Sequence, residues 1–396
     1  MVTRSAHYEL WGLDPTVTFL NHGSFGGVPK AIREVQADLH RRADREPVDF
    51  FVRYLPEGFR RSREALGAFV NADPDDLVFV SNATSGVNTV MKSLSFEPGD
   101  ELLTTSQAYG ACRHTLDHVA DTTGAKVVSA PLPFPISDPS QITEAILACV
   151  TDRTKIAMLD HIASPTGLVF PIAEIVAALH ERGVDTLVDG AHSVGQVPLD
   201  LEAIGAAYFT TNAHKWLCTP RGAAILHVRK DRQDRVFPLV TSHAYHAKQD
   251  RFRAQFDWTG TDDPTAHLVI PEAIDYLGGL LEGGWPALYA AIHDRAMEGR
   301  RAILDRLGLV SPSPDAMHGS LAPILLPDGD GEIDWILDPL SRELWDDHRI
   351  EVPVFPFPRA PKRMLRVSAH LYNAPEDYER LAAILATRAS GASSAV

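Results

Sequence analysis

A lysine and an aspartate, each set in apolar surroundings, carry the chemistry this chain is equipped for. In Leu187-Val188-Asp189-Gly190-Ala191-His192 a hydrophobic run delivers Asp189 to the carboxyl end of a strand. That is the edge at which open α/β sheets place ligands, and the following Gly leaves room for one to approach. Some 26 residues later, Asn212-Ala213-His214-Lys215-Trp216 sets Lys215 between polar groups suited to a phosphate and a large aromatic. A lysine in such a pocket serves as a Schiff-base nucleophile. Pyridoxal 5'-phosphate (PLP) needs both parts: an amine to hold its aldehyde, and a carboxylate to keep its pyridine nitrogen protonated so that the ring acts as an electron sink. Each residue alone has a plainer use, Asp189 as a helix cap and Lys215 as a solvated surface group. Their order and spacing point to the cofactor.

The elements that position these residues alternate along the chain. Apolar runs predict strands at Leu77–Val80, Glu101–Thr104, Lys126–Ser129, Ile156–Leu159, Thr186–Asp189 and Ala223–Val228. Helical spacing predicts helices from Pro29 to about Arg45, from Pro56 to Val70, through Val90 with Thr84 or Ser85 as N-cap, from about Tyr109, after Asp138, and from Ile172 to Arg182. Such alternation means an α/β fold with a mainly parallel sheet and right-handed crossovers. Phe19–Gly27 reads as a Gly-rich turn and Arg229–Gln255 as a long polar excursion. Helical spacing from Ile270 to about Leu307, broken at Gly283-Gly284, leads to a smaller C-terminal unit. That unit should hold a strand at Leu321–Leu326, a helix through Ile336–His348, a Pro-rich loop at Pro353–Pro361, and Arg366 in an apolar strand. A buried Arg wants a carboxylate, whether internal or a substrate's. The expected division is an N-terminal arm over 1–17 packing with the small domain, a large domain over 18–265, and a linking helix with the small domain over 266–396.

Composition narrows the partners. At 396 residues and 45% hydrophobic the chain can bury a substantial core, and its net charge of -15 repels nucleic acid and anionic membranes. Cys112, Cys149 and Cys218 form no CxxC pair or even-numbered framework, which suits a reducing cytoplasm. Neither a signal-type apolar segment at the N-terminus nor a membrane-length apolar run is present. His114 and His118 lie four apart without an HExxH or third ligand, so no metal is expected; the nucleotide fingerprints GxGxxG and GxxxxGK[ST] are missing.

Further motifs follow in order: LNHGSFG at Leu20, SNATSGVN at Ser81, AYGAC at Ala108, DHIASPTGLVFP at Asp160, WTGTDD at Trp258, HRIEVPV at His348 and LRVSAHLYN at Leu365. With VDGAH and NAHKW they resemble, over nearly the whole chain, the fold type I PLP enzymes of the class V aminotransferase group. The likeness is strongest to the isopenicillin N epimerase branch and its relatives in secondary metabolism, antibiotic biosynthesis included. The resemblance implies a seven-stranded, mainly parallel sheet in the large domain, a smaller α+β domain, and a homodimer with shared active sites. It makes Lys215 the cofactor-bearing amine and proton shuttle, Asp189 the pyridinium partner and Tyr109 the stacking group. Ala83, Thr84 and Ser85 would receive the phosphate at a helix N-terminus, with Asn212 and His214 beside the lysine and Thr261 donated by the partner chain. Ser164 and His192 would reach the phenolic oxygen. Arg366 would capture the substrate α-carboxylate, with Asn21, His22 or Ser24 nearby, and Tyr109 or His22 would donate a proton on the second face of Cα.

Two positions depart from the pattern: Ser164, where some relatives carry Asn, and Asp262, where the family carries Arg. Cysteine desulfurases resemble the chain too, but they need a mobile Cys before the carboxylate Arg. Pro353–Arg363 contains none, and Cys218 is restrained three residues past Lys215. The expected function is therefore PLP chemistry at Cα of an amino acid or its conjugate, epimerisation first. The alternatives are a carbon-sulfur β-lyase, a decarboxylating or oxidative deaminase, and a non-catalytic PLP-fold binding protein.

Overall fold

The computed structural model describes residues 4–329 and 338–393. A seven-stranded sheet carries the site. Its strands are β1 (Leu77–Val80), β2 (Glu101–Thr105), β3 (Lys126–Ala130), β4 (Thr154–Asp160), β5 (Asp185–Asp189), β6 (Tyr208–Asn212) and β7 (Ala224–Val228), in the order β1-β7-β6-β5-β4-β2-β3. Only β7 runs against the rest. Strands β2, β6 and β7 are buried along their whole length, as strands covered on both faces are. Helices α1 (Lys30–Arg45), α2 (Leu55–Val70), α3 (Ala83–Ser93), α4 (Gly110–Thr123), α5 (Ser140–Leu147) and α6 (Ile172–His180) accompany the sheet. From the edge strand β3 the chain returns to the middle of the sheet at β4, so the connections after β2 and β4 diverge and leave a crevice at the strands' carboxyl ends.

Four sequence expectations are corrected. The N-cap of α3 is Asn82, whose side chain accepts the Ser85 N–H at 2.8 Å, rather than Thr84 or Ser85; an Asn one residue earlier fills the orphan donor equally well. The Phe19–Gly27 turn contains a helical turn at His22–Phe25. The Arg229–Gln255 excursion holds two 3-10 turns and a helix at Arg251–Asp257. The Pro-rich segment after Val352 is partly a strand, β9 (Val354–Pro356), tolerated because it pairs on one side only.

Helices α7 (Ile270–Gly278) and α8 (Gly284–Leu307) follow the large sheet, and α8 contributes to two hydrophobic cores. Ile270, Ala273, Leu277, Leu288 and Ile292 belong to the core of the large domain, whereas Ala296, Met297, Ile303 and Leu304 belong to that of the small one. A helix of 24 residues is long enough to serve both. The small domain is a three-stranded antiparallel sheet, β9-β10-β8, with β8 at Leu321–Leu326 and β10 at Arg363–Ser368, together with α9 (Pro339–His348) and α10 (Pro375–Ser393). Ile336, where the sequence starts α9, lies outside the described residues. The N-terminal arm packs Trp11 edge-on against His370 and Tyr372, with ring centroids 5.0 and 5.4 Å apart. Thr18–Phe19 then pairs in parallel with Ile350–Glu351.

Candidate active site

Strand ends, two helix starts and the loops that follow the strands converge on a cavity of about 160 Å³ at the carboxyl edge of the sheet. Asp189 closes β5, and its Oδ1 accepts the Ala191 N–H at 3.1 Å while Oδ2 accepts the Cys112 thiol at 3.0 Å. Lys215 follows β6, and its Nζ lies 3.1 Å from His192 Nε2. The N-terminus of α3 reaches the cavity because Gly86 lies flat on β6; a Cβ there would stand 2.1 Å from Thr210 Oγ1. Gly26 lets the N-terminal arm pass under the lysine loop: its φ is +71°, and a Cβ would stand 2.4 Å from the His214 carbonyl oxygen.

The hydrogen bonds around His192 set the charge of Lys215. The Trp216 indole N–H donates to His192 Nδ1 at 3.3 Å. Burial, then the nearby Lys215 charge, hold His192 well below its ordinary pKa, so the ring is neutral and carries its one proton on Nε2. That proton points at Lys215 Nζ, a contact that favours the uncharged amine over the ammonium. Burial, followed by the Arg366 charge, lowers the Lys215 pKa to about 8. A neutral, water-excluded amine is the nucleophilic form.

Arg366, on β10, is buried, and Nη1 donates to the carbonyl and hydroxyl oxygens of Ser164. Its Nε has no partner, and no carboxylate pairs with it among the described residues. Burial pushes it down to about 10, so it is still a cation at neutral pH. A buried cation without an anion, tied to a residue that lines the cavity, is equipped to pair with one.

The phosphate end is more occupied than the sequence suggests. The Ala83 N–H is taken by Asn212 Oδ1 at 2.8 Å and the Ser85 N–H by Asn82. Ser85 turns its hydroxyl to Ser81, 2.9 Å away, and lines a separate outer hollow of about 330 Å³. Thr84 remains in the cavity, its N–H without an acceptor among the described residues. His214 binds the Ala223 carbonyl through Nδ1 at 2.9 Å and is held neutral by burial, its pKa lowered to about 4.

Tyr109 starts α4 at the cavity mouth, 46% exposed, and with Phe25 (67%) forms an aromatic rim. Ser24 lines the cavity, but Asn21 does not; it accepts the Ser24 hydroxyl at 2.6 Å and donates to Glu351 at 3.0 Å. His22 is turned away altogether. It is fully buried behind the lysine, with Nε2 3.0 Å from the Lys215 carbonyl oxygen and Nδ1 2.9 Å from the Tyr372 hydroxyl. The carbonyl can only accept, so Nε2 holds the proton and Nδ1 accepts from the tyrosine. Although His22, Cys218 and His370 place ligand atoms within 4.8 Å of one another, His22 thus has no free lone pair for a metal. Thr261 is exposed and outside the cavity, while its neighbours Gly260 and Asp262 line the outer hollow with Ser81 and Ser85.

Five cavity residues escaped sequence reasoning: Phe25, Asn82, Asp160, Ile162 and Ala191. Asp160 ends β4 as Asp189 ends β5, and the same signal, an apolar strand running into an Asp, marks it. Phe25 and Ile162 carry no chemical signature that could have singled them out.

The family sequence model of the aminotransferases of class V matches residues 30–281. Isopenicillin N epimerase of Streptomyces clavuligerus is 34% identical over 93% of this chain and 94% of that one. A putative L-cysteine desulfhydrase of Oryza sativa subsp. japonica is 33% identical over 92% of this chain and 82% of its own. The cystine C-S lyase C-DES, solved with its product cysteine persulfide, superposes with a TM-score of 0.78 at 21% identity over 94% of this chain and 98% of that one, a likeness of fold. The chain belongs to the class V aminotransferase family and is a PLP-dependent enzyme of fold type I. The residues present fit the cofactor: a buried amine of lowered pKa, a buried carboxylate, an open helix N-terminal donor and an aromatic rim surround one cavity.

Proposed function

We propose that this enzyme removes the Cα proton of an amino acid or amino-acid conjugate and returns it to the opposite face, as an epimerase acting in the cytoplasm. The observation that carries the reading is the buried Lys215 amine, its pKa lowered to about 8, in a cavity whose wall residue Ser164 is held by an Arg366 that has no anion among the described residues. Bound PLP supplies the electron sink that makes the Cα proton removable. Arg366 grips the α-carboxylate with its planar fork and so fixes which bond at Cα is presented. Lys215 Nζ takes that proton as general base. Asp189 would keep the pyridine nitrogen of bound PLP protonated, while the buried walls exclude water. With His22 locked behind the lysine, Tyr109 is the donor for the second face; burial raises its pKa, so it keeps its proton at neutral pH.

The position of His22 also favours a second reading, carbon-sulfur β-elimination, which needs only one base. Incubating a panel of L-amino acids and their thioether conjugates in deuterated water separates the two. Deuterium at Cα with accumulation of the D-form is the expected result. A released thiol fragment with ammonia and no D-form would move the enzyme to the lyase reading, and release of carbon dioxide would move it to decarboxylation.

The same reading includes a homodimer. Thr261 is exposed beside a surface on which Phe237, Leu239, Val240 and Tyr245 are 43% to 55% exposed, a hydrophobic patch of the kind partner chains cover. Thr261 would then serve the partner's phosphate. Mixing inactive Lys215→Ala protein with weakened Thr261→Ala protein should restore one site of two in the heterodimer. A monomer of full activity by light scattering would rule this out.

A further inference from the structure

At the floor of the cavity a second carboxyl group stands beside Asp189. Strands β4 and β5 run parallel with Asp160 and Asp189 as direct partners, 2% and 3% exposed, and both line the cavity. The two are served differently. Asp189 receives a donor on each oxygen, from Ala191 and Cys112. Asp160 receives one, the Tyr109 N–H at 3.3 Å on Oδ1, and its buried Oδ2 has no partner. Donors aimed at a carboxylate stabilise its anion, and two carboxylates this close in a low dielectric cannot both ionise cheaply. The surroundings supply little compensation. His161, His192 and His214 are held neutral by burial. Burial likewise keeps the protons on the Cys112 thiol and the Tyr109 hydroxyl. Burial and the His192 contact disfavour the Lys215 ammonium, its pKa lowered to about 8, and Arg366 is the cation that persists above that pH.

We propose that Asp160 is a positioning residue that keeps its own proton, anchoring the Tyr109 backbone through Oδ1 while its protonated Oδ2 leaves Asp189 as the single anion of the pair. Burial first, and the Asp189 charge second, raise the proton affinity of Asp160 well above that of an ordinary carboxylate. The consequence for the cofactor rests on Asp189 being the pyridine partner, as argued above; the protonation of Asp160 does not. One charge opposite one pyridinium is a matched pair, whereas two would leave an uncompensated anion in the cavity once the amine is neutral.

Infrared difference spectroscopy on the apoprotein at neutral pH tests this without turnover. The wild type should show the carbonyl stretch of a protonated, water-excluded carboxylic acid. The band should vanish in Asp160→Asn, which keeps the shape and the Oδ1 acceptor, and persist in Asp189→Asn. Asp160→Ser gives the same readout should the Asn variant not fold. A wild type without the band would overturn the proposal, as would a band lost in Asp189→Asn and kept in Asp160→Asn, which would put the proton on Asp189. PLP titration of the same proteins reads the other part separately. Undiminished pyridinium absorbance in Asp189→Asn would remove Asp189 as the ring's partner while leaving the protonation of Asp160 standing.

Discussion

Replacing Lys215 by Ala should lower turnover by at least about 10²–10⁴-fold, the contribution of a positioned general base, and should also remove the covalent attachment of the cofactor. The wild type should be yellow as purified, and borohydride reduction followed by digestion should place the pyridoxyl group on the peptide containing Lys215. The same group on any other peptide would refute the assignment. The reaction has a pH signature. The Lys215 pKa lies at about 8, below the ordinary 10.5 of a lysine. The neutral amine, which is the reactive form, is lost as pH falls through about 8 and complete above it. Capture of PLP by the apoprotein should therefore rise about tenfold per pH unit below 8 and level off above it, where a solvated lysine would still be climbing. Trp216→Phe removes the indole donor that fixes the His192 proton on Nε2, and should move this limb to higher pH.

The second large effect falls on substrate rather than cofactor. Arg366→Ala should weaken amino-acid binding by about 2–5 kcal/mol, roughly 30-fold or more, because it deletes a desolvated charge-assisted pair. PLP should stay bound. Arg366→Lys should recover little, since an ammonium cannot reproduce the bidentate fork. The alternative role is visible in the structure: Arg366 also ties down Ser164 on the wall of the cavity. Equal loss of PLP and of substrate affinity would assign the residue to that wall. Separate titrations of PLP and of an amino acid decide between the two.

Asp189 and Arg366 stood out because each interrupts an apolar run, and Lys215 because it stands between polar groups and Trp216. A charged residue at the end of, or within, a buried strand is costly unless it meets a partner, so its type and place announce a site. The alternation of apolar runs with helical spacing likewise determined the α/β class, and the motifs determined the cofactor. What the sequence could not supply is which way neighbouring polar groups turn. His22 sits in the LNHGSFG motif within reach of the site, yet the His370 and Tyr372 rings and the Lys215 carbonyl draw it behind the lysine. Asn212 and Asn82 occupy two of the three N–H groups read as phosphate donors. Asp160 gains its meaning from the register that sets it against Asp189, and Cys112 from a helix crossing that brings its thiol to the same carboxylate. The linking role of α8 shows in its packing, since one helix buries its two ends in different cores. Spacing along a chain determines which end of which element a residue occupies; only the packing of strands, helices and loops against one another decides whether its side chain faces the cavity or is spent on a neighbour.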